Sequence, residues 1–273
     1  MNIWWYLSQP FAQHALLAGG LVALACGVIG PFVIARNMSF AVHGTSELAF
    51  TGAAAGLLIA NNSVAGAYGG SLVVAAVLGL LSSRERERDS AIGVVLAFGL
   101  GLGVLLLSYY HGFATQATNI LFGNIFGVGN GQLVALLMVS VVALLILSSI
   151  YRPLLFASID PEVARARGVP IRLLGVVFLF ILALVVTSAA QVVGTLLVLS
   201  LAITPAAAAQ RLTSRPLMIT LLSVGFALTA SMGGIISSLV SGTIKPSVMV
   251  TTISFGIYVV ARIMGGSQSH GKG

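Results

Sequence analysis

Charge is what this sequence of 273 residues has least of. Asp, Glu, Lys and Arg together make up 7% of it, where a soluble domain carries roughly 25%. Hydrophobic residues make up 58% and the mean hydropathy is +1.07, so no stretch is left from which a sizeable soluble domain could be built. The lone cysteine, Cys26, excludes an internal disulfide and reads as a small packing residue in an apolar stretch. The only lysines are Lys245 and Lys272, and no glycine-rich phosphate loop ends in Lys-Ser/Thr, so the chain is not itself an ATPase. The first fourteen residues hold no Lys or Arg, so the basic region of a signal peptide is not visible. Trp4, Trp5 and Tyr6 favour the membrane interface and predict a short segment on the outer surface.

What is present is a set of nearly uncharged apolar stretches, each long enough at about twenty residues to cross a bilayer as a helix. They run over 15–35, 40–60, 64–82, 91–110, 131–151, 172–190, 193–210, 217–240 and 247–264. Twelve of the thirteen basic residues follow the odd-numbered stretches: Arg36; Arg84, Arg86 and Arg88; Arg152, Arg165, Arg167 and Arg172; Arg211 and Arg215; Arg262 and Lys272. Lys245 is the exception. Basic residues gather on the cytoplasmic side, so the pattern predicts an all-α, polytopic transmembrane helix bundle with its N-terminus outside and, with nine spans, its C-terminus in the cytoplasm. The net charge of +7 is thereby topological and calls for no nucleic acid. Pro205 interrupts the seventh stretch; a broken or re-entrant segment there would reduce the count to eight. Residues 1–264 read as one transmembrane domain, and 265–273 as a disordered polar tail in which His270 is a solvated residue.

The 32 glycines include Gly52 and Gly56, Gly66 and Gly70, and the run Gly99, Gly101, Gly103. Small residues four apart let helices approach closely in lipid, so these predict tight bundle packing. No internal repeat is visible. Residues 111–130 form the longest outer connection. Its apolar middle, Ile120 to Val128, predicts a segment that dips into the membrane or lies on it, and His111 reads as a surface histidine.

Five of the six acidic residues fall in cytoplasmic segments: Glu85, Glu87, Asp89, Asp160 and Glu162. Glu47 lies inside the second stretch. An ionisable group at depth costs at least ~2.5–3.5 kcal/mol on insertion scales, and so faces the interior and takes a partner. His43, four residues earlier, shares its helical face. A carboxylate and an imidazole one turn apart can hold a divalent transition ion or a proton; the plainer alternative is a buried Glu–His hydrogen bond that fixes packing. Thr45, Ser46, Thr51 and Met38 could add weak donors, and a second subunit could add a second pair.

The cytoplasmic stretch Ser158–Pro170 carries every end signal of a short helix. Asp160 is the N-cap, Pro161 takes the first position, and Glu162 lies near the positive end of the dipole, with Arg165 and Arg167 near the negative end. Gly168 fits the C-terminal turn and Pro170 stops continuation. Such a helix is either a docking knob for a partner or a plain connector.

Four stretches together resemble the membrane permease subunits of bacterial ABC importers for zinc, manganese and iron. They are Arg36-Asn-Met-Ser-Phe through Glu47 to Gly52; Arg88-Asp-Ser-Ala-Ile-Gly93; the Asp160–Gly168 loop with Val169-Pro-Ile-Arg172; and Gln191-Val-Val-Gly-Thr-Leu-Leu-Val198 through Ile203-Thr-Pro-Ala-Ala207. The resemblance implies a homodimer in the bacterial inner membrane with the pathway between its subunits. It also implies a separate ATP-binding subunit that grips Asp160, Glu162, Ala164 and Gly168, and an extracytoplasmic metal-binding protein that delivers the ion. In the family the second span usually carries Asp, then His four residues later, then Pro-Gly. Here the positions hold His43, Glu47 and Thr51-Gly52, the same chemical types in swapped order and without the proline.

The leading expectation is thus an ATP-driven permease for a divalent transition metal, zinc foremost, with His43 and Glu47 binding the ion in transit, no permanently bound cofactor, and ATP used by the partner. An ion-coupled secondary transporter with Glu47 as proton carrier is the alternative. An intramembrane metalloenzyme ranks last, because catalytic zinc needs three protein ligands and no His-Glu-x-x-His or comparable cluster is present.

Overall fold

The structure, a computed structural model, describes residues 8–81, 85–111, 119–195 and 197–269, and the side chains of all of these but 80, 81, 85–92, 95 and 266–269. Trp4–Tyr6, Arg84, His270 and Lys272 lie outside the described residues, and so do the side chains of Glu85–Asp89.

Among the described residues the regular structure is entirely helical. The α-helices are α1 (Pro10–Ala35), α2 (Ser39–Ala60), α3 (Ser63–Leu81), α4 (Glu85–Ser108), α5 (Asn130–Ile159), α6 (Pro161–Ala166), α7 (Ile171–Val193), α8 (Val198–Ala202), α9 (Thr204–Leu212), α10 (Pro216–Ser241) and α11 (Pro246–Ser269). Each apolar stretch of the sequence falls on one helix, except the seventh, which falls on α8 and α9. The last helix continues through Ser269, into the stretch read as polar tail. Among the described residues five helices are long and apolar enough to cross a bilayer: α1, α5, α7, α10 and the Pro246–Gly265 part of α11. Shorter apolar segments occupy Ser63–Gly79, Leu96–Ser108 and Val198–Leu212. The first half of α2 carries Ser39, His43, Thr45, Ser46 and Glu47, which dilutes its hydropathy.

α1 and α7 form the centre. In their most apolar windows 61% and 67% of residues are buried, against 22%, 33% and 17% in α5, α10 and α11. Helices apolar on all sides go to the middle of a bundle. In α1 the small residues Gly19, Gly27 and Gly30 let α10 and α8 close in; a side chain at Gly27 would strike the backbone of Val224, and one at Gly30 the carbonyl of Ala202.

α2 and α3 pack backbone to backbone. A methyl group on Gly56 would lie 2.7 Å from the Gly66 Cα, and one on Gly70 2.8 Å from the Gly52 Cα, which is the close approach expected from that spacing. α4 closes the other side of α2, where the Thr51 hydroxyl donates to the Gly99 carbonyl at 2.5 Å. Gly99 and Gly103 pack on Leu48 and Phe50, whereas Gly101 faces open space.

The seventh stretch breaks twice, and the second break, at Ile203 between α8 and α9, comes two residues before Pro205. Pro205 itself sits in the first turn of α9, where its missing N–H needs no intrahelical acceptor; the first break is at Gly194 and Thr195, between α7 and α8. Residues 119–128 are drawn into this gap. Gly123 and Gly194 stand back to back with φ of +75° and +100°, and Thr195 N–H donates to the Ile120 carbonyl at 3.3 Å. Ile125 and Val128 are buried. On the far side the Ser247 hydroxyl donates to the Phe122 carbonyl at 2.8 Å, and the Lys245 ammonium stands 4.9 Å from the centre of the Phe122 ring. Residues 119–128 therefore enter the helical assembly instead of lying over it.

Candidate metal pathway and cytoplasmic docking helix

The link between α1 and α2 is three residues, Arg36, Asn37 and Met38, with Asn37 in the left-handed region at φ +53°. Asn tolerates that region because its short polar side chain can bond locally. This tight elbow places His43 and Glu47 on the second and third turns of α2. Their side chains meet, with His43 Nε2 3.1 Å from Glu47 Oε1. Glu47 is 12% exposed and His43 35%. The second ring nitrogen of His43, Nδ1, is buried without a hydrogen-bond partner, although buried nitrogens and oxygens are nearly always bonded.

His43 opens onto a groove of about 360 Å³ lined by Ser39, Phe40, Leu199, Ser200, Ile203 and Thr204. The opposite wall is therefore α8 and the start of α9. α8 is tied to α11 by hydroxyls: Ser200 Oγ lies 3.1 Å from Thr251 Oγ1, and Ser254 donates to the Ser200 carbonyl at 2.7 Å. The imidazole–carboxylate pair thus sits at the edge of an open cleft whose other side is the broken helix.

The four further donors expected from the sequence turn away from the pair. Thr45 donates to the Ala41 carbonyl at 2.7 Å and Ser46 to that of His43 at 2.8 Å. Thr51 bonds Gly99, and Met38 is part of the apolar core. Hydroxyls one turn from a free carbonyl satisfy themselves locally. Among the described residues no group of three or more His, Cys, Asp or Glu side chains comes together, so this chain brings two strong ligands to the site. His111 is exposed beside Tyr109 and Tyr110, as expected of a surface histidine.

Arg36 runs from the elbow to the segment before α6. Its Nη1 donates to Ser158 Oγ at 3.4 Å, and its guanidinium lies 5.6 Å from the centre of the Phe178 ring in α7. Ser158 comes two residues before Asp160, the N-cap of α6, whose carboxylate accepts from Val163 N–H at 3.0 Å. Ala164 is fully buried, which pins α6 to the bundle and leaves Glu162, Arg165 and Arg167 exposed. At the other end Val169 N–H donates to the Ala164 carbonyl and Gly168 N–H to that of Arg165, both at 3.0 Å, and Gly168 has φ +79°. These two bonds around a left-handed glycine are a Schellman motif. The end signals in the sequence are all realised, and they hold a rigid polar knob on the surface.

Sequence reasoning missed a second polar site. A cavity of about 310 Å³ lies between α2, α3, α5, α7 and the inserted 119–128 segment, with Asn119, Asn124, Gln132, Thr187, Gln191 and Thr195 in its walls. Gln132 donates to Gln191 Oε1 at 3.2 Å, while Gln191 Nε2 and Thr187 Oγ1 are buried without partners. The signal available was the presence of amides at the ends of apolar stretches; what brings them together is the insertion.

The pattern that defines the ABC 3 transport family matches residues 8–265. The chain belongs to the ABC 3 transport family. The manganese transport system membrane protein MntC of Halalkalibacterium halodurans is 34% identical over 235 residues, 86% of this chain and 80% of that protein. MntC of Listeria monocytogenes is 33% identical over 256 residues, 92% of this chain and 90% of that one. The solved structure of PsaBC from Streptococcus pneumoniae in complex with Fab superimposes with a TM-score of 0.86 at 27% identity, over 95% of this chain and 94% of its own. As an ABC 3 family permease the chain is a multi-pass protein of the bacterial plasma membrane and a transport subunit, not an enzyme; ATP hydrolysis belongs to a separate subunit. Family membership also sets aside the ion-coupled secondary transporter.

Proposed function

We propose that this chain is the membrane-spanning subunit of an ATP-driven importer of divalent transition metal, with His43 and Glu47 as the ligands it offers to the ion in transit. The observation that carries this is their 3.1 Å approach at the edge of an open groove, with a buried, unpartnered imidazole nitrogen beside it. Imidazole with carboxylate accepts manganese, iron and zinc alike. The names of the relatives, manganese transport system membrane proteins, move manganese ahead of zinc as the proposed cargo.

Two ligands are too few to hold such an ion, which takes four to six. A second copy related by two-fold symmetry brings the same pair to the same axis, and the open groove is a face such a copy can cover. We therefore propose a homodimer with the pathway between its subunits. We also propose nine crossings, the N-terminus outside and the C-terminus inside, and delivery by an extracytoplasmic metal-binding protein. The α6 knob docks on the ATP-hydrolysing subunit through Asp160, Glu162 and Gly168, with Ala164 as its buried anchor. Its motion reaches the elbow before His43 through Ser158 and Arg36.

Liposomes holding this chain, its ATPase and the delivery protein are expected to accumulate radiolabelled manganese only when ATP is supplied. Uphill transport with no nucleotide and no companion subunit would overturn the proposal. A separate test addresses α6. Gly168→Pro removes the N–H that bonds Arg165 and forbids the positive φ. The ATPase is then expected to fall to its unstimulated rate while both subunits remain in the membrane. Full stimulation in the co-purified variant would remove the docking role.

A further inference from the structure

At the end of α9, Arg211 meets α11. The two helices touch there because residue 265 is glycine; a side chain at Gly265 would strike the Arg211 carbonyl. One turn before Gly265 lies Arg262, and one turn earlier Tyr258, near enough to both guanidinium groups to feel their charge, that of Arg211 foremost. Both arginines are exposed. Among the described residues no Asp or Glu lies within ion-pair distance of either arginine. Two cations converging on one neutral phenol repel each other, and the cluster has an unmet demand for negative charge. The face of α11 that carries Tyr258 and Arg262 also carries Phe255, Val259 and Ile263, which are 63%, 37% and 70% exposed.

We infer that Arg211, Tyr258 and Arg262 form a binding site for the phosphate headgroup of an anionic phospholipid, whose acyl chains run along the apolar strip of α11. Guanidinium groups present paired N–H donors that match phosphate oxygens, and the phenol adds a third donor. Basic pockets between membrane helices take anionic headgroups for this reason. The apolar strip selects a lipid over free phosphate. The site depends on no assignment of the cargo, because it lies away from the His43 groove.

The test uses the full chain with its ATPase in nanodiscs of equimolar phosphatidylglycerol and phosphatidylcholine. Lipid retained after detergent extraction is read by native mass spectrometry. Phosphatidylglycerol is expected to be enriched roughly thirtyfold, the scale that two interfacial arginines supply. Arg211→Gln with Arg262→Gln removes the enrichment, and glycerol phosphate fails to compete. A photoactivatable phosphatidylglycerol should also label wild-type protein within residues 255–264, a readout that needs no variant. Equal enrichment in the double variant, or labelling confined to other helices, would overturn the site. So would loss of the ATPase from the double variant with lipid retention unchanged, which would make the cluster a protein contact.

Discussion

Glu47→Gln and His43→Ala should each cut ATP-dependent manganese uptake about ten- to a hundredfold while the protein still reaches the membrane. The size follows from the chemistry. Each change removes one of the two strong ligands the chain brings to the groove, and a hydrogen bond or contact to a charged group is worth about 1.5–3 kcal/mol, or one to two decades. The direction of the stability effect separates this role from a purely structural one. Glu47 is a carboxylate at membrane depth, which costs ~2.5–3.5 kcal/mol or more to place there. If its work is transport, the glutamine variant keeps or gains thermal stability in detergent while uptake collapses. If the pair only fixes the packing of α2, the variants lose stability and uptake falls no further than the amount of folded protein. Uptake at the wild-type rate in both variants would remove the ion-binding role altogether.

The largest expected effect on folding lies elsewhere, at Gly194. Its φ of +100° with ψ of 151° is a region that essentially only glycine occupies, and holding another residue there costs about 1–3 kcal/mol. A methyl group at this position would also run into the backbone of Leu121, Phe122 and Gly123, adding about 1–3 kcal/mol of overpacking. The neighbour cannot yield easily, since Gly123 has positive φ and is pressed against Val192 and Gly194 in return. Gly194→Ala is therefore expected to lower the thermal midpoint of the purified protein by roughly 5–20 °C, taking 2–4 °C per kcal/mol for a chain of this size. Gly101→Ala is the control. It lies inside α4 with nothing within 4 Å of the added group, and replacing a mid-helix glycine there should be neutral or stabilise by about 0.5–1 kcal/mol. Equal behaviour of the two variants would show that residues 119–128 are not seated in the break.

The α6 helix was legible almost atom by atom, because its determinants are local. Asp160, Pro161 and Gly168 act within one turn of themselves, and the structure returns the N-cap bond, the first-turn proline and the left-handed glycine. The nearness of His43 to Glu47 was equally legible, since four residues on a helix is a fixed geometry. The surroundings of the pair were not. Thr45, Ser46, Thr51 and Met38 share its helix, but their directions are set by Ala41, His43, Gly99 and the core. The groove wall of Leu199 to Thr204 comes from a segment more than 150 residues away.

The interruption of the seventh stretch shows the same division. Pro205 is the conspicuous breaker in the sequence, and a break does fall two residues before it, at Ile203, so that its missing N–H lies in the first turn of α9. The other break falls at Gly194, where a distant glycine, Gly123, packs against it.

By itself the sequence determined that this protein is a bundle of membrane helices, where those helices lie along the chain, and which imidazole and carboxylate share a face. Hydropathy, end signals and helical spacing act over a few residues and need no partner. Only the tertiary structure decided that residues 119–128 enter the assembly, that amides from three segments line one cavity, and that His43 faces the broken helix. Inside a bilayer nearly every side chain of these helices is apolar, so composition does not distinguish lipid from protein as a neighbour. Packing of backbone against backbone at glycines makes that choice.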